Sequence, residues 1–357
     1  MADIHSSIPS ADARYTASDA QVGDCESQAM TLANPSQLIV AVVGPTASGK
    51  SDLALDLAEE LGRRWEANGG QIVSADALQL YRGMDVGTAK TPVEERRGIP
   101  HYQLDVLDIS QEASVAHYQT HARADLETIH GEGSVAVVAG GSGLYQRALL
   151  DHIEFPGTDP KVRSALEEEA EGPLGSRGLH GKLEALDPVS ASRIDPHNAR
   201  RIIRALEVIE LTGKPYSSHM PVKEFVKPSV MIAIRRDLDE LDRRIVLRTQ
   251  MMFNDGLIEE TRALIDQGLR DAKTASKATG YAQAIAVIDG QMTIDEAKES
   301  IAIATRQLAR RQIKWLRPDH RVIWIDAEED TSKNDLLDRA CEIVQKTADD
   351  YAGAQTH

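Results

Sequence analysis

Continuous apolar runs alternate with helical faces over most of this sequence. LIVAVV (38–43) is the pattern of a strand covered on both faces of a parallel sheet. In DLALDLAEELG (52–62), Leu53, Ala54, Leu57, Ala58 and Leu61 fall on one side of a helix, and Gly62 supplies a stop. QIVSAD (71–76) reads as a second strand, with a loop from Ala77 to Thr91 after it, and HYQLDVLD (101–108) as a weaker one. Residues 114–130 are helical in pattern, SVAVVAGG (134–141) is another buried-type strand, and SGLYQRALL (142–150) opens a helix.

The pattern changes at Phe155-Pro156-Gly157. From there to about Pro228 the candidates are all helical: VRSALEEEAE, HGKLEALD and ARRIIRALEVIELTG. VMIAIRR (230–236) then returns as a strand. Residues 238–269 are helical with an interruption at Asn254-Asp255-Gly256, residues 293–316 form another helix, and RVIWID (321–326) is a last strand. This alternation predicts an α/β fold, a doubly wound parallel sheet built from 37–155 and 229–326, with a helical insertion domain at 156–228. Residues 1–36, rich in Ser, Ala and Asp without a period, predict a disordered extension, and residues 327–357 an acidic tail.

Composition changes this picture little. No run approaches a membrane span, the N-terminus lacks the pattern of a signal peptide, and Cys25 and Cys341 are too few for a disulfide framework. A cytoplasmic protein, with no membrane partner and monomeric, is expected. The net charge of −16 argues at first against a nucleic-acid partner. Its distribution weakens that argument, because residues 1–36 contribute −4 and residues 326–357 contribute −6.

The first chemistry lies between the first strand and the first helix. GPTASGKS (44–51) matches G-x-x-x-x-G-K-[ST] in full. Gly44 and Gly49 permit backbone conformations that let the N–H groups of Pro45-flanked Thr46, Ala47 and Ser48 turn toward phosphate oxygens. The helix beginning near Lys50 adds its N-terminal dipole, Lys50 a mobile positive charge, and the Ser51 hydroxyl a Mg²⁺ ligand. The loop alone fits a nucleoside triphosphate such as ATP as well as it fits a diphosphate. Asp76 stands at the carboxyl end of the second strand, where open α/β sheets bind ligands. It is read either as a general base or as a turn cap.

Six segments occur in order: GPTASGKS; VSADALQLYRGMDVGTAK (73–90); AGGSGLYQRALL (139–150); ARRIIRALEVIELTGKP (199–215); ATGYAQAI (278–285); ATRQLARRQIKWLR (304–317). Together they resemble the bacterial tRNA dimethylallyltransferases (tRNA isopentenyltransferases), from about residue 38 to residue 326. The second and last segments are far more specific than the phosphate loop. The resemblance implies transfer of the dimethylallyl group of dimethylallyl diphosphate to N6 of adenine 37, beside the tRNA anticodon. It implies that Thr46 to Ser51 hold the diphosphate with Mg²⁺, that Asp76 takes the N6 proton, and that Asp76, Ala77, Leu78 and Gln79 line the adenine pocket. Ser142 would stand beside the reaction centre. Arg163, the stretch Arg200, Arg201, Ile202, Ile203 and Arg204, and the stretch with Lys277, Gly280 and Tyr281 would face the tRNA. Four positions depart from the family: Ala77 replaces a usual Ser, Ser142 a usual Thr, and Lys277 and Ala282 stand where basic or longer polar residues are commoner.

Beyond the resemblance, Arg306, Arg310, Lys314 and Arg317 follow at i, i+4, i+8 and i+11, a basic helix face suited to tRNA phosphates. Arg193, Arg200, Arg201 and Arg204 form a second cluster in the insertion. His117 and His121, four apart, read as surface or packing residues, and Met251-Met252-Phe253 as core. The rival readings are an adenylate isopentenyltransferase acting on free AMP, ADP or ATP, a P-loop small-molecule kinase, and a non-enzymatic nucleic-acid-binding NTP sensor. The helical insertion and the basic clusters favour tRNA.

Overall fold

The computed structural model describes residues 32, 34–219 and 222–353. By its contacts the chain divides into two compact units, one built from residues up to Tyr145 and from Lys227 onward, the other from Gln146–Val226.

The larger unit is an α/β sheet. Its strands are β1 (Ile39–Val43), β2 (Gly70–Ser74), β3 (His101–Tyr102), β4 (Val135–Ala139), β5 (Ser229–Arg235) and β6 (Val322–Asp326). They run in the order β3-β2-β4-β1-β5-β6 and every pair is parallel. β1 is central, with Val40 opposite Val137 of β4 on one side and Val230 of β5 on the other. All five of its residues are buried, as its unbroken apolar sequence requires. The predicted strand at 101–108 stops after Tyr102, because Gln103 and Asp105 adopt left-handed backbone conformations (φ 57° and 56°) that a strand cannot carry.

Helices α1 (Lys50–Arg64), α2 (Val115–Gly131) and α3 (Gly143–Leu150) follow β1, β3 and β4. The apolar face of α1 enters the main core as expected, with Leu53, Ala54, Leu57, Ala58 and Leu61 at most 2% exposed. The smaller unit contains α4 (Pro160–Glu171), α5 (Gly175–Leu186), α6 (Pro188–Ala191) and α7 (Ala199–Thr212), closed around Leu166, Leu179, Leu183, Ile202, Ile203 and Leu206. After β5 come α8 (Leu238–Asn254), α9 (Leu257–Asp266), α10 (Tyr281–Ile288) and α11 (Ile294–Leu316).

Both ends depart from expectation. The segment after β6, read as an acidic tail, forms α12 (Lys333–Gly353). Its Leu336, Ala340, Cys341, Val344 and Ala348 are buried in the same core as α1. The acids of this segment occupy the other positions of an amphipathic helix, so net charge concealed a helical period. The expected disordered extension, 1–36, lies largely outside the described residues. Its last part belongs to the fold: Leu32 is buried, and Asn34 caps a short 3₁₀ turn at Pro35–Gln37.

Candidate active site

Strand order decides what meets at the carboxyl edge of the sheet. The loop after β1 lies between the segments following β4 and β5, and the segment following β2 comes next beyond β4. Residues from these segments, together with α8 and α11, line one cavity of about 510 Å³.

The phosphate loop forms one wall. Gly49 caps α1 in a left-handed conformation (φ 97°), and Ala47 also has positive φ (64°). The loop is held from outside by arginines that follow β5. Arg236 Nε donates to the Ser48 carbonyl (2.9 Å) and Arg244 Nε to the Ala47 carbonyl (2.8 Å). Arg236 is itself paired with buried Glu240 (2.6 Å). Thr46, Lys50 and Ser51 face the cavity, while Gly44, Pro45, Ala47, Ser48 and Gly49 supply the loop backbone. Withdrawal from water lowers the Lys50 ammonium to about 8; the nearby charge of Arg248 adds to this and Asp76 opposes it. Desolvation and Arg248 thus outweigh the one anion acting on Lys50, as suits a site for an anionic ligand.

The same cavity is lined by Asp76, Ala77, Leu78, Gln79 and Ser142. Asp76 Oδ1 accepts from the Leu78 N–H (3.0 Å), and Ser142 Oγ accepts from the Ala77 N–H (3.3 Å). The Ser142 N–H donates to the Ala75 carbonyl (3.3 Å), so the turns after β2 and β4 brace each other. Asp76 thus does cap a turn, and the same carboxylate faces the cavity; the two readings of this residue are compatible. Gln79 Oε1 accepts from Ser74 Oγ (3.1 Å), which fixes its amide.

Two further residues were not singled out from the sequence. Arg248 of α8 lines the cavity and donates from Nη1 to Thr46 Oγ1 (3.1 Å) and from Nη2 to the Thr88 carbonyl (3.3 Å). Burial lowers its pKa, opposed by Asp76. Gln312 of α11 accepts from the Thr46 N–H (2.8 Å) and donates to the Gly141 carbonyl (2.9 Å), joining the phosphate loop to the turn before Ser142. Gln312 lies inside a motif already quoted, but Arg248 sits in a helix rich in arginine and has no local signal. Met252 also lines the cavity, and Met251 is 51% exposed, which corrects the reading of that pair as core.

The IPP transferase family profile matches residues 79–319. A tRNA dimethylallyltransferase of Paenarthrobacter aurescens is 49% identical over 314 residues, covering 88% of this chain and 97% of that one. The chain belongs to the IPP transferase family. It is a transferase, and the relatives it matches this closely are bacterial tRNA dimethylallyltransferases. The crystal structure of the tRNA isopentenylpyrophosphate transferase from Bacillus halodurans has a TM-score of 0.65 and 34% identity, covering 90% of this chain and all of that one. A eukaryotic dimethylallyltransferase acting on tRNA shares the fold, with a TM-score of 0.73 at 22% identity over 86% of this chain and 79% of that one.

Against this IPP transferase background, several expected tRNA-facing residues are placed otherwise. Tyr281 is fully buried, and its hydroxyl donates to Glu260 Oε1 (2.6 Å). Gly280 caps α10, and neither it nor Lys277 lines the cavity, whereas Thr279 does. Arg310 makes a two-pronged contact with Asp242 (3.1 and 3.0 Å), and Arg306 lies 3.5 Å from the same carboxylate. Their neighbour Arg311 lines the cavity instead. In the smaller unit, Ile202 and Ile203 are core residues, because the apolar face of α7 must close on α5 and α4. Arg200 and Arg201 are exposed on α7. Arg163 and Arg204 both pair with Glu207, whose side chain is wholly buried (2.7 and 2.8 Å). Burial alone would raise the Glu207 carboxyl; hydrogen bonds from Arg163, Thr158 and Arg204 outweigh it and hold the group at about 2.

Proposed function

We propose that this chain transfers the dimethylallyl group from dimethylallyl diphosphate to N6 of adenine 37, next to the anticodon of tRNA, giving N6-isopentenyladenosine. One observation carries the reading: a phosphate-binding loop and the carboxylate of Asp76 line the same cavity, with Asp76 near enough to act on the charge of Lys50. The diphosphate sits on the loop, against Thr46, Lys50 and Arg248. The adenine enters on the side of Asp76 and Gln79 after leaving its stack. The N6–C1 bond forms and the C1–O bond breaks, the pyrophosphate departs with the electron pair of that bond, and Asp76 takes the N6 proton. Negative charge developing on the leaving oxygen is met by Lys50, Arg248 and the loop N–H groups, which are already in place. The oxygen donors of this cavity, Ser51, Thr46 and Asp76, suit a hard cation, and Ser51 would hold Mg²⁺. Bound there, Mg²⁺ would neutralise charge on the diphosphate. The tRNA substrate is met in the cytoplasm.

The test is direct. The protein is incubated with dimethylallyl diphosphate, Mg²⁺ and either unmodified tRNA or AMP, and nucleosides are analysed by mass. Prenylated adenosine from tRNA is expected, and product from AMP alone would favour the adenylate reading. Absence of any prenyl adduct would sink both.

A further inference from the structure

Glu260 lies on α9 outside the cavity, yet four hydrogen bonds converge on its carboxylate. Oε2 accepts from the N–H groups of Asp85 (3.1 Å) and Val86 (2.8 Å), and Oε1 from the N–H of Gly87 (3.2 Å) and the hydroxyl of buried Tyr281 (2.6 Å). Gly87 is compelled by this packing, since a Cβ there would lie 2.5 Å from the Tyr281 ring. The far end of the same loop is tied by Lys90, which is buried, paired with Asp85 and Asp105 (both 2.5 Å), and donates to the Tyr81 carbonyl (3.0 Å).

Between these anchors the loop meets the site. Gly87, Thr88 and Ala89 line the cavity. The Thr88 carbonyl accepts from Gln79 Nε2 (3.4 Å) on the base side and from Arg248 Nη2 (3.3 Å) on the phosphate side. Arg248 has its hydrogen bonds with two neutral oxygens, Thr88 O and Thr46 Oγ1, so their positions set where its remaining donors point. A single backbone carbonyl therefore orients one group from each half of the site, and Glu260 fixes the three residues before it.

We propose that Glu260, braced by Tyr281, is a positioning residue: it holds the Asp85–Gly87 backbone so that the Thr88 carbonyl aims Gln79 and Arg248 together. The roles of Gln79 and Arg248 toward substrate rest on the function proposed above. A carboxylate suits the task because it only accepts, and three backbone N–H groups and a hydroxyl all donate to it. An amide in its place would turn an N–H₂ group toward one of those donors.

The experiment compares Glu260→Gln and Tyr281→Phe with the unaltered full chain. Three quantities are read: kcat/KM for dimethylallyl diphosphate with unmodified tRNA, the Kd of pyrophosphate by calorimetry, and the Kd of tRNA. Thermal unfolding checks that each variant is folded at the assay temperature. Misplacement of a positioned group by about 1 Å is expected to cost on the order of 10²-fold in turnover. Glu260→Gln should lower kcat/KM by about 10- to 100-fold and weaken pyrophosphate at least about 3-fold, with tRNA affinity unchanged. Tyr281→Phe should show the same pattern more weakly. A folded Glu260→Gln protein with wild-type kcat/KM would overturn the proposal, as would a loss confined to tRNA affinity. If Glu260→Gln does not fold, Tyr281→Phe decides on pyrophosphate affinity, and no change there counts against the proposal. Should the unaltered protein form no prenylated tRNA, the function fails separately, and the pyrophosphate arm still tests the clamp.

Discussion

Arg248 donates to the hydroxyl of Thr46 at 3.1 Å, bringing a charge from the middle of α8 onto the phosphate loop. The loop pattern supplies one lysine, and the fold adds a second cation on the same cavity. A charged hydrogen bond is worth about 1.5–3 kcal/mol, and about 1.4 kcal/mol is tenfold in affinity. Arg248→Ala should therefore weaken pyrophosphate by about 10- to 100-fold with tRNA affinity little altered. Equal pyrophosphate affinity by calorimetry would remove Arg248 from the diphosphate site.

Lys50 is held at about 8 chiefly by desolvation, so without ligand it loses its charge on the alkaline side of neutrality. A bound diphosphate favours the ammonium and raises its pKa, so binding takes up a proton above that point. Pyrophosphate affinity should fall by up to about tenfold per pH unit as pH rises above 8, until the raised pKa of the complex is reached. Lys50→Arg keeps its charge over this range and should lose the break. A break near pH 8 that survives in Lys50→Arg would belong to another group.

Asp76 caps the turn after β2 through the Leu78 N–H and faces the cavity. Asparagine keeps an oxygen for that hydrogen bond and removes the base. Turnover of Asp76→Asn should fall by about 10²- to 10⁴-fold, the range of general-base contributions. Pyrophosphate should bind as well or better, because a negative charge near it has gone. Retained turnover in single-turnover assays would exclude Asp76 as the base.

On α11, Arg306 and Arg310 are shared with Asp242, whereas Lys314 and Arg317 are exposed and have no ion-pair partner among the described residues. Each phosphate contact contributes about one to the slope of log affinity against log salt. Lys314→Ala and Arg317→Ala should each reduce the salt slope of tRNA binding by about one. Arg310→Ala should reduce it less, since Asp242 already balances its charge. Unchanged slopes in the first two would place the tRNA elsewhere.

Glu207 ties Arg163, Arg204 and Thr158 together inside the smaller unit. Its partners Arg163 and Arg204 are 40% and 27% exposed, so Glu207→Gln leaves no fully buried charge behind and should cost about 1.5–3 kcal/mol, lowering the unfolding temperature at pH 7. The sign with pH follows from the depressed pKa. The stabilisation is full above the ordinary carboxylate value of 4.5 and is lost as pH falls toward about 2. The gap between wild type and variant in thermal unfolding should close across that interval. A gap that stays constant with pH would mean that packing, rather than ionisation, is lost.

The sequence by itself determined the parts whose information is local. The buried β1, the phosphate loop with Gly49 at the start of α1, and the apolar face of α1 need only neighbouring residues and the period of the backbone. Asp76 and Ser142 were legible through motifs that lie next to strand ends. The tertiary structure decided what depends on long-range approach. Arg248 reaches Thr46 across 202 positions of sequence and Gln312 reaches it across 266, and no local pattern marks either contact. The same holds for what basic residues do. A helical period gives a shared face to Arg306 and Arg310, but only the packing of α11 on α8 brings Asp242 within reach of both. Tyr281 shows the reverse case, a residue of a specific motif whose burial makes it act through Glu260 and the loop at Asp85–Gly87. Side-chain identity is written in the sequence, while burial and partner are properties of the packed chain.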